Sequence, residues 1–176
     1  MKGFRSRTIQ QMKRRGENCI KRFIVILLMA GILLLTACSK EHINYFPSKE
    51  AALEELIRSE GIKGNIDLIT TMNDEELLVI QEDQNNYFVG ELLEEKKGFA
   101  ANKISANVVM ELGGSWGLNT LANHNYTIYF EKEPENQNFL PLSNENYYIS
   151  IVEGDQVKKQ DPIITNSIKE IESIKD

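Results

Sequence analysis

Cysteine is almost missing from this chain: there are two in 176 residues, Cys19 and Cys38. Histidine is as scarce, with only His42 and His124. A zinc centre needs three or four His, Cys or carboxylate ligands, so a dedicated zinc site lacks its usual donors. No Gly-x-Ser-x-Gly elbow is present, and the nearest imitation, Ser115 in Gly113-Gly114-Ser115-Trp116-Gly117, has the wrong spacing. That glycine-rich segment also lacks the Lys-Ser/Thr end of a phosphate loop and the strand-to-helix setting of a dinucleotide fingerprint. No acidic run matches an EF-hand. The longest uncharged apolar stretch, Phe23–Leu35, has thirteen residues, which fall short of the roughly 20 that an ordinary membrane-spanning helix requires.

The short apolar stretch acquires meaning from its flanks. Lys13, Arg14, Arg15, Lys21 and Arg22 precede it, and Leu35-Thr36-Ala37-Cys38 closes it. A basic region, a short apolar core and small residues at a cut site make a secretory signal. The Leu-Thr-Ala-Cys end resembles the lipobox of bacterial lipoproteins. That resemblance implies diacylglyceryl transfer to the Cys38 sulfur, cleavage before Cys38, N-acylation of the new terminus, and attachment to the outer face of the cell membrane. The basic region is long, and translation from Met12 would give a more ordinary signal. Cys19 falls inside the removed segment. With Cys38 capped by lipid, the mature part has no disulfide and no thiol nucleophile.

From Cys38 onward the chain has 139 residues, enough for one domain with its own core. It carries twelve Lys/Arg against twenty-five Asp/Glu, a formal net charge of −13 that the whole-chain value of −6 conceals. Such a body is repelled by phosphate backbones and anionic headgroups, which argues against nucleic-acid binding. The membrane link is then the lipid itself, since two acyl chains anchor stably where one does not. The acidity reads first as a solvated surface, with attraction of cations or basic partners as the alternative.

Three segments emerge: a signal over 1–37, a lipidated tether over 38–47 containing His42, and one extracytoplasmic domain over 48–176. The domain opens with a helix. Ser48 is a natural N-cap, with Pro47 before it and Glu50 in the first turn. Leu53, Leu56 and Ile57 form an apolar stripe, and Gly61 with Ile62 behind it supplies the stop. Short β-type runs follow: Ile66–Met72, Leu77–Glu82, Tyr87–Leu93, Phe99–Ile104, Asn107–Leu112, Trp116–Leu121, Tyr126–Glu131 and Tyr147–Val152. Polar turns separate them, one being Gly113-Gly114. Leu77-Leu78-Val79-Ile80 is apolar on both faces and reads as central, whereas Tyr126–Glu131 alternates as if only one face were covered. Ile168, Ile171 and Ile174, three apart, suggest a short amphipathic helix or a frayed tail. Leu77–Leu93 and Tyr126–Val152 share a strand–polar loop–aromatic strand layout, which a duplicated hairpin and convergent patterning explain equally well. The expected class is α+β, an N-terminal helix packed on a mainly antiparallel sheet free to curl. The whole chain resembles small uncharacterised lipoproteins of Gram-positive bacilli in composition and layout, a resemblance that carries no activity with it.

Chemistry-bearing clusters are few. His124 lies between Asn123 and Asn125 and reads as an exposed turn residue. Trp116, the sole tryptophan, reads as a core residue of a tight turn before it reads as an exposed anchor for a partner or sugar ring. Gly113, Gly114, Trp116 and Gly117 form the candidate binding loop. Carboxylates gather at Asp74-Glu75-Glu76, Glu94-Glu95 and Glu131/Glu133/Glu135, and read as solvated loops with loose calcium binding as a minor alternative. The leading expectation is a non-catalytic binding or accessory module with no cofactor, anchored through Cys38 and facing an envelope protein. The alternatives are a carboxylate-dependent hydrolase using Glu75 or Glu95, and an inhibitor or chaperone-like partner presenting an aromatic patch of Trp116, Tyr126 or Tyr147.

Overall fold

The computed structural model describes residues 43–134, 137–157 and 165–175. The signal, Cys38, His42 and Glu135 lie outside the described residues. Helix α1 (Lys49–Glu60) starts where its cap dictates: the Ser48 hydroxyl accepts the Ala51 N–H at 3.2 Å. It stops at Gly61, whose φ of +67° is the left-handed turn that glycine adopts without strain. Ile62 then folds back, donating its N–H to the Ile57 carbonyl at 3.0 Å. Leu53 and Leu56 of the stripe are buried with Ala52 beside them, and Ile57 is half-buried against the same cluster.

Ten strands follow: β1 (Ile66–Thr71), β2 (Glu76–Gln81), β3 (Asn86–Glu95), β4 (Gly98–Lys103), β5 (Val108–Val109), β6 (Gly113–Asn119), β7 (Asn125–Glu131), β8 (Leu140–Pro141), β9 (Tyr148–Glu153) and β10 (Ile168–Lys175). They form two antiparallel sheets, β10-β1-β2-β3-β4 with β5 beside β3, and β6-β7-β9-β8. The expectation of one sheet is therefore corrected to two, facing each other, neither closed into a barrel. Strand alternation feeds two cores. Leu78, Ile80 and Phe88 pack with α1 on the outer side of the first sheet. Leu77, Val79, Tyr87 and Val89 point the other way, against Tyr126, Ile128, Phe130 and Ile149 of the second sheet. The central position of β2 follows from this double burial.

Four further expectations need correction. Ile168–Lys175 is a strand. The three-residue spacing of Ile168 and Ile171 imitates a helix because β10 bulges: Thr71 pairs with Ile168 and Thr70 with Glu170, leaving Lys169 extra. The bulge turns a spacing of three into one shared face, so both isoleucines reach the core between the sheets. Gly113-Gly114 is no turn; it opens strand β6. The Asn107–Leu112 run shrinks to two strand residues. Strand β7 is covered on both faces, because Tyr129 meets Phe139, Val152 and Tyr148 on the outer side. Short β8, with Pro141 in it, carried no readable pattern. The end of the proposed tether is held against the sheet, where Phe46 and Phe99 exchange backbone hydrogen bonds of 2.7 and 2.8 Å.

Candidate functional site

Two turns from opposite sheets meet at one end of the sandwich, and they are built alike. In the β1–β2 turn Thr71 N–H donates to the Glu75 carbonyl at 2.9 Å, and Asp74 N–H donates to the Thr71 carbonyl at 3.0 Å. In the β6–β7 turn Thr120 and His124, then Asn123 and Thr120, make the same pair at 2.9 and 3.0 Å. Asp74 (φ +58°) and Asn123 (φ +65°) take the left-handed position, where the short Asp and Asn side chains are tolerated. Each threonine hydroxyl accepts an N–H four residues on, from Glu75 at 3.2 Å and from His124 at 3.1 Å. The side chains of those two residues then meet: His124 Nδ1 lies 3.0 Å from Glu75 Oε1.

The Glu75 carboxylate is filled by its own chain. Oε1 also accepts the Thr120 hydroxyl at 2.7 Å, and Oε2 accepts the Tyr126 hydroxyl, which in turn accepts an Asn73 amide N–H at 2.8 Å. Burial raises its pKa, yet the hydrogen bonds from Tyr126, Thr120 and His124 together outweigh burial and leave it below the ordinary carboxylate value. Glu91, 1 % exposed, lies close by with Oε2 accepting the Leu121 N–H at 2.7 Å. Burial pushes its pKa up, the Glu75 charge adds to that, and the Leu121 and His124 contributions do not reverse it. Chemically this is a clamp locking the β6–β7 turn onto the first sheet. Both Glu75 oxygens are engaged, Oε1 by two donors and Oε2 by one, so the chain itself fills three of the roughly four acceptor sites of the carboxylate. Glu95 sits at the far end of β3, hydrogen-bonded to Tyr45 rather than to Glu75. The solvated-loop reading of Glu75 is therefore corrected, its side chain being 9 % exposed, whereas His124 is the exposed turn residue the sequence suggests and in addition pairs with Glu75. Among the described residues no three His, Cys, Asp or Glu side chains converge on a possible metal position.

The candidate binding loop is an edge strand. Gly113, Gly114, Trp116 and Gly117 all belong to β6, which among the described residues pairs with β7 on one side only. Gly113 has to be glycine: φ is +122°, and an added Cβ would lie 2.5 Å from the Phe130 carbonyl oxygen. A Cβ at Gly117 would meet nothing within 4 Å. Trp116 is half-buried and stacks on Phe130, with ring centroids 5.2 Å apart and planes 20° from parallel. Its covered Nε1–H finds no acceptor among the described residues. The exposed aromatic patch does not exist as expected, since Tyr126 and Tyr147 are core residues. Tyr147 donates its hydroxyl to the Met110 carbonyl at 2.7 Å.

Sequence reasoning missed Glu91. Its one signal was a lone charge inside the apolar strand Tyr87-Phe88-Val89-Gly90-Glu91-Leu92-Leu93, where a carboxylate must find a partner or stay protonated. No known protein family matches this chain, and no curated protein or solved structure is significantly similar to it.

Proposed function

We propose that this chain is a lipid-anchored, non-catalytic binding module of the cell envelope, held at the outer membrane face through Cys38, that receives an extended segment along strand β6. The observation carrying the reading is the open side of β6. Antiparallel pairing alternates the direction of backbone groups. Thr120 N–H bonds toward β7, so Leu118, Trp116 and Gly114 do too, and Asn119, Gly117, Ser115 and Gly113 point away from the sheet. Among the described residues none of these four has a backbone partner on that open side. A row of free donors and acceptors is what strand addition uses.

Anchoring and recognition separate experimentally. In cells fed labelled palmitate, Cys38→Ser is expected to lose the label and accumulate uncleaved chain; unchanged labelling would end the lipid assignment. A photoreactive residue at Leu112, beside the open edge, is expected to crosslink in membranes, and the same probe at Glu54 on the helix is not. Equal crosslinking at both positions would remove β6 as the recognition surface.

A further inference from the structure

Strands β1–β2 and β6–β7 are the same hairpin displaced by 49 positions. Ile69 pairs with Leu77 and Leu118 with Tyr126; Ile66 pairs with Ile80 and Ser115 with Tyr129. The turns Thr71–Glu75 and Thr120–His124 correspond, and Ile69, Leu77 and Val79 face the same core as Leu118, Tyr126 and Ile128. By this correspondence β6 stands where β1 stands, and β1 does not have a free edge. Its outward backbone groups, at Ile66, Leu68 and Thr70, are covered by antiparallel β10. The corresponding residues Ser115, Gly117 and Asn119 have no strand beside them among the described residues.

The other sheet margins are guarded. Strand β10 carries Lys169, Glu170, Glu172 and Lys175, β8 is two residues long with Pro141, and β4 is bridged by Phe46. Such charges, prolines, short lengths and covers keep edges from pairing. Strand β6 has none of them. It begins a run of nineteen residues, Leu112–Phe130, without a single Asp, Glu, Lys or Arg, in a chain that is 26 % charged. Leu112 is 88 % exposed at one end and Leu121 is 39 % exposed just past the other.

The geometry points to a second copy of this chain as the occupant, β6 pairing antiparallel with β6 across a two-fold axis at Trp116. This deepens the strand-addition reading above and rests on it. A charged partner strand has nothing to read on β6: Asp74, which holds Lys169 of β10 at 2.7 Å, corresponds to neutral Asn123. The register that uses all four outward residues sets Gly113 against Asn119 and Ser115 against Gly117 of the other copy. It sets Leu112 opposite Thr120, one residue from Leu121 of the other copy, at both ends of the paired strands. Glu111 falls opposite Leu121, so no like charges meet along the strand despite a strongly acidic body. Gly117, which its own fold does not require to be glycine, lies at the centre, where a second backbone approaches. Closed two-fold pairing of one patch with itself is the commonest form of oligomer.

The test uses the full chain in membranes, with the photoreactive residue at Leu112. The expected product has twice the chain mass, with the crosslink mapped near Leu121 of the second copy. Gly117→Pro removes an outward N–H without touching the β7 ladder, and should abolish that product while palmitate labelling persists. Ser115→Lys keeps the backbone donor but brings two ammonium groups together at the axis, and should abolish it as well, so one misfolded variant does not decide the matter. In mild detergent, sedimentation of the wild-type chain should give twice the mass of Gly117→Pro. A crosslink to a different protein overturns self-pairing and leaves strand addition standing; no crosslink at all overturns both. A doubled product that survives both substitutions overturns the β6 geometry.

Discussion

The hairpins β1–β2 and β6–β7 share register, turn and core-facing positions, yet the chain dresses them differently. The first has α1 over its outer face, through Ile66 and Leu68, and β10 along its edge. The second presents Ser115, Gly117 and Asn119 outward at the corresponding strand, exposed and uncovered. Where both halves agree, the feature serves the fold: the Thr-x-x-Asp/Asn turn, the inward aliphatic residues, the pairing. Where they differ, the fold tolerates either solution. Position 81 in the first half is Gln81, hydrogen-bonded to Asn144 and Gln84; its counterpart is Phe130, in a ring cluster with Tyr87, Trp116 and Tyr147.

That last difference sets the largest expected effect. Phe130→Ala opens a fully buried site among three rings and should cost about 3–5 kcal/mol in denaturant unfolding. Gln81→Ala, at the corresponding position, removes hydrogen bonds worth about 1 kcal/mol each. Equal losses would mean that the two positions carry the same packing and the ring cluster adds nothing. Next comes the helix that only the first half has. Leu56→Ala should cost about 2–5 kcal/mol, depending on how far its site collapses. A loss below about 1 kcal/mol would show that α1 does not support the first sheet.

The helix was legible because its signals are local: Ser48, the Leu53/Leu56/Ile57 stripe and Gly61 lie within one short segment, and each acts on its neighbours. Most strands were legible for the same reason. The pairing of Glu75 with His124 was not, because each residue looks like an ordinary turn residue until two distant turns are brought together. Strand β6 was hidden by its glycines, which read as a turn although only Gly113 takes a backbone conformation that needs one. Strand β10 was hidden by its bulge, which a periodicity count converts into a helix. The echo legible in the sequence ran between Leu77–Leu93 and Tyr126–Val152, that is β2–β3 and β7–β9. The hairpins that share register and turns are β1–β2 and β6–β7, and that match was hidden because the glycines of β6 disguised one of its strands.

The two turns are joined by the Glu75 clamp, and breaking it tests whether the halves stabilise each other. Glu75→Gln keeps the shape but removes the charge that strengthens three donors, with an expected loss of about 1–3 kcal/mol at neutral pH. The pH dependence fixes the cause. A carboxylate whose folded pKa lies below its unfolded value contributes stability that is present above the unfolded pKa and is lost as pH falls through the folded one. The difference between wild type and Glu75→Gln should therefore shrink on acidification. A constant difference would assign the loss to packing.

Glu91 should give the smallest effect and one of opposite sign. Its carboxyl titrates above the ordinary value because burial and the neighbouring Glu75 charge both disfavour ionisation. The folded state thus holds the proton more tightly than the unfolded chain does. Stability falls as pH rises from the unfolded pKa to the folded one, and stays lower beyond it. Glu91→Gln cannot ionise, and its amide oxygen can still accept the Leu121 N–H. It should therefore gain stability at neutral pH, by up to about 1 kcal/mol once the weaker neutral hydrogen bond is offset. The gain should vanish at acid pH, where the wild-type carboxyl is neutral too. Paired unfolding curves of Glu75→Gln and Glu91→Gln against pH would then bend in opposite directions. A loss for Glu91→Gln at neutral pH would instead mean that its charge, held against Leu121 and near His124, stabilises the turn as the Glu75 charge does.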